Sequence, residues 1–283
     1  MFTDSVPTLV DPDWLEDRLD VPDVQILDCT VYLQPGGVKS GYDDWSDAHI
    51  PGSQFADLIE DLSETDNPEY PFQLPTSDAF ASAVSELGVS NDSRIVLYDT
   101  VNEGNNNEWA ARLWWMFRVF GHDQVGVLNG GWPRWTAENR PVSSSVKTPQ
   151  STDFTAEYRP ELVANKEDVR SKTEDSGTCV INALKSDDHA AERIPNSVNV
   201  PALGDDGVLD TDGTYASDDA LEEQFSEVGA TEADDVITYC GAGIAASSEA
   251  LALHQAGITD VAVYDGSLSE WTADSELPVE RDE

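Results

Sequence analysis

Short apolar runs alternate with amphipathic stretches along the chain, and polar or glycine-containing segments separate them. Apolar runs of three or four residues, rich in β-branched and aromatic side chains, predict buried strands at residues 24–27, 95–98, 125–128, 179–181, 236–239 and 261–264. Helical spacing lies between them: Asp11 and Pro12 predict one helix start, and Ser77 predicts another helix that Gly88 ends. This alternation predicts an α/β fold with a mostly parallel sheet and helices on both faces.

Three sequence signatures recur in the same order about 140 residues further along the chain, and a repeat of that length is typical of a duplicated domain. HIPGS from His49 returns as RIPNS from Arg193, the strand before Asp99 returns before Cys240, and NGG from Asn129 returns as DGS from Asp265. Residues 141–151, rich in proline and serine, predict the connector. The sequence therefore predicts two domains, at residues 1–145 and 155–283.

Composition and charge exclude several classes of function. The chain has 283 residues, of which 39% are apolar, and this is enough to build two cores. Its 56 acidic and 15 basic residues give a formal charge of -41, which would repel a nucleic-acid backbone. Because lysine is scarce and the acidic residues are spread over the whole sequence, we expect a protein adapted to a salt-rich cytoplasm, where ions screen this repulsion.

The sequence gives no sign of a membrane segment, a disulfide framework or a metal site. No apolar stretch reaches 18 residues and the first residues do not resemble a signal peptide, so we expect a cytoplasmic protein with no membrane partner. The three cysteines, Cys29, Cys179 and Cys240, are odd in number and far apart, which argues against a disulfide framework and a zinc site.

Cys240 directly follows the predicted strand 236–239, and ligands of parallel sheets bind beyond the carboxyl ends of their strands. A helix is predicted over residues 246–255. Five small or apolar residues form the predicted loop between them: Gly241, Ala242, Gly243, Ile244 and Ala245. Two glycines allow successive N–H groups to turn inward, and with the helix N-terminus these stabilise a nucleophilic thiolate. Cys29 and Cys179 lack such a loop and are predicted to be buried apolar side chains.

These motifs resemble the tandem-domain sulfurtransferases of the rhodanese superfamily over nearly the whole chain. CGAGIA from Cys240 is similar to the loop CGSGVT of 3-mercaptopyruvate sulfurtransferases, and HIPG from His49, WWMFR from Trp114 and GGW from Gly130 also match the family. The resemblance implies two tandem rhodanese-like domains, of which only the second is catalytic. Asp99 stands at the cysteine position of the first, and a carboxylate cannot carry sulfane sulfur.

The resemblance also implies a double displacement that needs no metal or organic cofactor. Cys240 takes sulfur from a small anionic donor, forms a persulfide and passes the sulfur to a thiophilic acceptor such as cyanide or a thiol. We expect thiosulfate as the donor, with 3-mercaptopyruvate as the alternative, because Ala242 and Ala245 replace the Ser and Thr of mercaptopyruvate enzymes. The family's substrate arginines are missing, and the candidate substrate contacts in this sequence are Lys185, His189, Arg193 and Asp57.

Two other classes are weighed against this interpretation. A cysteine phosphatase needs an arginine to close its loop on phosphate, and Ala246 occupies that position. A non-catalytic pair of domains, or a relay that hands sulfur to an acceptor protein, stays open because the arginines are missing. An aromatic cluster is predicted to be packing core rather than a ligand platform: Trp109, Trp114, Trp115, Phe117 and Phe120.

Overall fold

A computed structural model describes residues 5–66, 68–100, 108–204 and 206–282, and the chain forms two compact units. The first unit comprises the described residues up to Thr65, together with Leu74–Tyr158 and Asp212–Thr214. The second comprises Asp66–Gln73, Arg159–Thr211 and the described residues from Tyr215 onward. Each unit therefore includes a short segment from the other half of the sequence. The limits 1–145 and 155–283 remain a prediction for the two sequence repeats.

The first unit is built on five parallel strands in the order β1-β7-β6-β2-β5, with a separate antiparallel hairpin of β3 and β4. Helices connect the parallel strands, as a parallel sheet requires. The elements are β1 (Leu9–Val10), α1 (Pro12–Glu16), β2 (Val24–Asp28), β3 (Val31–Gln34), β4 (Gly37–Ser40), α2 (Tyr42–Asp47), β5 (Gln54–Phe55), α3 (Ser77–Glu86), β6 (Arg94–Tyr98), α4 (Glu108–Val119), β7 (Val125–Leu128) and α5 (Gly131–Ala137).

The second unit repeats this layout, and its described residues contain no counterpart of the hairpin. Its five parallel strands run in the order β8-β12-β11-β9-β10, which is the order of the first sheet element for element. The elements are β8 (Val163–Ala164), α6 (Lys166–Lys172), β9 (Thr178–Asn182), α7 (Ser186–Ala191), β10 (Val198–Asn199), α8 (Asp218–Glu227), β11 (Asp235–Tyr239), α9 (Ile244–Gln255), β12 (Val261–Tyr264) and α10 (Ser267–Trp271). The matching topology confirms the predicted α/β fold and its duplication.

All six predicted strands are present, the predicted helix start at Ser77 is confirmed, and the predicted start of α9 needs correction. The first residue of α3 is Ser77, and its N-cap is Thr76, whose hydroxyl accepts a hydrogen bond from the N–H of Ala79. The α9 helix begins at Ile244 rather than at residue 246, because Gly243 adopts a left-handed conformation with φ 77° and serves as its N-cap. The predicted start at Pro12 is confirmed, with Asp11 as the N-cap.

Apolar side chains from each sheet and its helices form the two cores. In the first unit Ile26, Val96 and Trp135 belong to one buried cluster, and in the second Ile237 and Trp271 belong to its counterpart. The five aromatic residues predicted as core are all buried on or next to α4. In the part of the chain that the structure describes, no helix is long and apolar enough to cross a membrane.

Candidate active site

Cys240 lies at the carboxyl end of β11, the central strand of the second sheet, between β9 and β12. Its side chain is 3% exposed. Only Gly241, Ala242 and Gly243 separate it from α9, so Ile244 and Ala245, predicted as loop residues, form the first turn of the helix. The thiol is therefore closer to the helix N-terminus than the sequence suggested.

The start of α10 fixes the orientation of the cysteine loop. The carbonyl of Cys240 accepts a hydrogen bond from the N–H of Leu268 at 3.0 Å. The carbonyl of Gly241 accepts one from the N–H of Ser269 at 3.0 Å and one from its hydroxyl at 2.7 Å. Since C=O and N–H point in opposite directions across a trans peptide, the N–H groups of Gly241 and Ala242 point away from α10.

Four backbone N–H groups of this segment remain available for an anion. Within the described residues, those of Gly241, Ala242, Ile244 and Ala245 donate to no acceptor. The first N–H groups of a helix have no partner inside it, and they carry its positive dipole end. The loop can therefore stabilise a thiolate, or a persulfide anion, at residue 240.

Ser267 holds the cysteine loop in place through its hydroxyl, and the sequence alone did not identify it as a site residue. Its buried hydroxyl accepts a hydrogen bond from the N–H of Cys240 at 3.1 Å and donates to the carbonyl of Tyr264 at 2.8 Å. Its φ is 48°, a conformation that favours glycine, and Gly131 occupies this position in the repeat with φ 53°. The one signal in the sequence was a serine where the repeated motif has a glycine.

The other two cysteines lack these features. Cys29 is fully buried, and its thiol donates to the carbonyl of Tyr98 at 3.2 Å. Burial raises the pKa of the Cys29 thiol well above its usual value, with further contributions from Asp99 and Asp28. Burial also raises the pKa of Cys179 to about 11. Both thiols are thus held in their neutral, unreactive form.

Asp99 occupies in the first unit the place that Cys240 has in the second. It follows β6, and its backbone carbonyl accepts from the N–H of Trp132 at 2.9 Å, as the Cys240 carbonyl accepts from Leu268. One oxygen of its buried carboxylate accepts from the N–H groups of Trp109 and Ala110, at 2.9 and 3.0 Å, in the first turn of α4. In the first unit, therefore, the carboxylate of Asp99 already accepts hydrogen bonds from N–H groups at the N-terminus of α4.

The three cationic candidates differ in their ion pairs and in their burial. Arg193 pairs with Glu280 at 3.4 Å and with Asp282 at 2.8 Å, and these pairs raise its pKa. His189 is half-buried on α7, and burial, followed by the charge of Arg193, lowers its pKa. Lys185 is exposed immediately before α7 and forms no ion pair with the described residues.

Asp57 belongs to the first unit, where it organises its own loop. Its carboxylate accepts from the hydroxyl of Ser40 at 2.9 Å and from the N–H groups of Ile59 and Glu60, at 2.9 and 3.1 Å. These bonds give Asp57 a structural role in a turn. Its predicted contact with substrate stays a prediction. Among the described residues, no group of three or more His, Cys, Asp or Glu side chains could hold a metal ion.

The chain contains two copies of one parallel α/β layout, and the second has a thiol at the end of its central strand. It is therefore a tandem-domain α/β protein with a cysteine site. The model of the rhodanese-like domain matches residues 11–138 and 164–274. The chain belongs to this rhodanese-like family.

Relatives match over almost the whole chain. The thiosulfate/3-mercaptopyruvate sulfurtransferase 1 of Arabidopsis thaliana, a mitochondrial protein, is 33% identical, covering 98% of this chain and 80% of its own. The 3-mercaptopyruvate sulfurtransferase of Escherichia coli K12 is 32% identical over 98% of this chain and 99% of its own. The crystal structure of the Escherichia coli 3-mercaptopyruvate enzyme SseA superimposes with a TM-score of 0.80 at 31% identity, covering 93% of this chain and 99% of that one.

Proposed function

We propose that the protein is a sulfurtransferase that moves sulfane sulfur from thiosulfate to a thiophilic acceptor through a persulfide on Cys240. The observation that carries this proposal is the cysteine loop, in which α10 binds the carbonyls of Cys240 and Gly241 and leaves the N–H groups on the other side free. Such an arrangement suits an anion at residue 240. The names of the relatives support sulfur transfer as the chemistry.

The proposed reaction has two displacements. The Cys240 thiolate attacks the outer sulfur of thiosulfate, a Cys–S bond forms, and the S–S bond of thiosulfate breaks with its electron pair leaving on sulfite. Cyanide or a thiolate then attacks the outer sulfur of the persulfide, and the electron pair of that S–S bond returns to Cys240. The loop N–H groups stabilise the anionic persulfide between the two steps. No net oxidation of the protein occurs.

The hydroxyl groups around the loop favour thiosulfate over 3-mercaptopyruvate. Ser247 donates to the carbonyl of Gly243 at 2.8 Å, Ser267 to that of Tyr264 and Ser269 to that of Gly241. These three hydroxyl protons already form hydrogen bonds with backbone carbonyls, and Ala242 and Ala245 have no hydroxyl group. Sulfite leaves thiosulfate as a stable anion without a proton, whereas 3-mercaptopyruvate releases the enolate of pyruvate, which must take up a proton at carbon to become pyruvate. The relatives' names fit either donor, so this ranking rests on the hydroxyl groups alone.

Lys185 is the cation we propose for binding the donor dianion. It is exposed just beyond β9, the strand that pairs with β11, whereas Arg193 is already bound by two carboxylates. Replacing Lys185 by Ala should raise the KM for thiosulfate and leave kcat nearly unchanged, and Lys185→Arg should restore the KM. An unchanged KM in Lys185→Ala would remove this residue from the proposal.

Thiocyanate formation from thiosulfate and cyanide tests the proposed activity. The wild type should turn over, Cys240→Ser should be inactive, and Cys179→Ser, which removes a buried thiol without a loop, should keep its rate. Equal rates in wild type and Cys240→Ser would refute the catalytic assignment and favour a non-catalytic protein. Turnover with a protein thiol but not with cyanide would favour a sulfur relay. A preference of about a hundredfold in kcat/KM for 3-mercaptopyruvate would overturn the donor ranking.

A further inference from the structure

A recess of about 200 Å³ lies in the first unit, at the carboxyl end of β2. This is the edge at which parallel sheets bind ligands. Six of the residues that line it bear on its chemistry: Asp28, Thr30, Tyr32, Asp44, Trp45 and Trp132. The recess belongs to the unit that lacks the reactive cysteine, and none of the proposed chemistry at Cys240 uses it.

The charge of the recess is negative and uncompensated by its lining. Asp28 is 5% exposed and Asp44 is exposed to solvent, and no lysine, arginine or histidine is found among the described residues that line the recess. Burial raises the pKa of Asp28 to about 6, and the charge of Asp44 adds to the rise. Asp28 is therefore largely ionised at pH 8. A buried carboxylate without a cation is costly, so a bound cation would stabilise it.

Hydrogen-bond acceptors converge on the same space. The hydroxyl of Thr30, a residue that is 3% exposed, accepts no hydrogen bond from the described chain. One oxygen of Asp28 accepts from the N–H of Thr30 at 2.9 Å. Burial, followed by the nearby carboxylate of Asp44, raises the pKa of the Tyr32 hydroxyl, so this group is neutral and its oxygen is able to accept. A ligand that donates several N–H bonds would satisfy these groups.

The rest of the wall is aromatic. Trp45 is buried and Trp132 half-buried, and both indoles line the recess together with the Tyr32 ring. Indole rings attract cations through their faces and shield the alkyl part of an organic ligand from water. The corresponding strand end of the second unit carries a neutral residue, Asn182, whose Oδ1 accepts from Leu184 as Asp28 accepts from Thr30. The second unit therefore has a neutral side chain where the first has the Asp28 carboxylate.

We propose that this recess binds the ammonium group of a small protonated primary amine. Asp28 and Asp44 neutralise its charge, the Thr30 hydroxyl accepts one N–H bond, and the aromatic side chains contact its alkyl group. A metal ion fits poorly, since no group of three or more metal-ligating His, Cys, Asp or Glu side chains is found among the described residues. Thiosulfate is excluded from the recess by the same carboxylates.

Ligand-observed NMR and calorimetry with n-butylammonium test the proposal at pH 8 and constant ionic strength. The wild type should bind n-butylammonium saturably, and n-butanol and tetramethylammonium should bind at least about tenfold more weakly, since they lack the charge or the N–H donors. Asp44→Asn should weaken n-butylammonium binding about tenfold or more. Asp43→Asn, an exposed neighbour that pairs with Lys39, is the matched control and should bind as the wild type does.

Asp28→Asn should weaken binding like Asp44→Asn, and if it fails to fold, Asp44→Asn and Thr30→Val decide the outcome. No saturable binding to the wild type, equal binding of n-butanol, or equal affinities in Asp43→Asn and Asp44→Asn would overturn the proposal. Cys240→Ser should bind n-butylammonium with unchanged affinity. Loss of sulfur transfer and loss of amine binding are therefore separate results.

Discussion

At the scale of single residues, Ser267 shows how much of the cysteine loop depends on one side chain. It accepts the N–H of Cys240 and holds a left-handed conformation that costs a non-glycine residue energy. Ser267→Ala removes the acceptor and leaves the buried N–H of Cys240 unsatisfied, so we expect a loss of about 1–3 kcal/mol in the free energy of unfolding and a lower kcat.

Ser267→Gly separates the two effects, because glycine adopts φ 48° at little cost. It should be more stable than Ser267→Ala in urea unfolding, while both variants lose activity. Ser269→Ala is the control, since the exposed Ser269 still binds Gly241 through its backbone N–H. Wild-type stability and kcat in Ser267→Ala would show that the hydroxyl does not position the loop.

Glu249 on α9 is a second residue with a measurable consequence. It is fully buried, neither carboxyl oxygen has a partner among the described residues, and burial raises its pKa well above 4.5. The folded state then keeps a proton that the unfolded state releases. The contribution of Glu249 to stability is therefore fully present below pH 4.5 and is lost as the pH rises toward its folded pKa.

Glu249→Gln cannot lose this proton. The free energy of unfolding of the variant, relative to the wild type, should increase with pH above 4.5 by at most about 1.4 kcal/mol per pH unit. Urea unfolding between pH 4.5 and 8 measures this difference. A difference that stays constant over the range would mean that Glu249 is not buried as a neutral acid.

Among the secondary-structure elements, the sequence predicted those strands that are long enough to show an apolar pattern of their own. The central strands β2, β6, β9 and β11 are mostly apolar and rich in β-branched and aromatic residues, and the structure confirms them. The two-residue strands β1, β5, β8 and β10 were not predicted, because two residues carry no periodicity. They exist only through pairing with a distant neighbour in the sheet.

Some features of the candidate site could likewise be predicted from the sequence, and others could not. The position of Cys240 at a strand end could be predicted from the strand and the following glycines. The pairing of Arg193 with Glu280 and Asp282 could not, because it joins residues almost ninety positions apart. Ser267, whose hydroxyl binds the N–H of Cys240, lies at the start of α10, which follows β12, rather than after β11. The only sign of it in the sequence is that the second repeat has a serine where the first has a glycine.

The α9 start gives a prediction with an internal control. Gly243 has φ 77°, where an alanine is strained, whereas Gly241 has no positive φ and a Cβ added there meets nothing within 4 Å. Gly243→Ala should lose about 1–2 kcal/mol in the free energy of unfolding and most of the thiocyanate-forming activity. Gly241→Ala should fold with wild-type stability. Equal stabilities would contradict the assigned conformation of the loop.

At the scale of the whole molecule, the formal charge of -41 is the dominant property. Repulsion among the carboxylates opposes the compact state, and at 1 M salt the Debye length falls to about 3 Å. The unfolding temperature should therefore rise from low to molar KCl. Sucrose, which strengthens apolar burial without screening charge, is the control and should stabilise less. Equal unfolding temperatures at low and molar KCl would contradict adaptation to salt.

Peptide mass spectrometry after treatment with thiosulfate shows which cysteine carries the transferred sulfur. We expect the peptide containing residue 240 to gain the mass of one sulfur atom, cyanide to remove it, and the peptides of Cys29 and Cys179 to stay unchanged. Sulfur on either of those peptides, or none on the peptide of Cys240, would contradict this expectation.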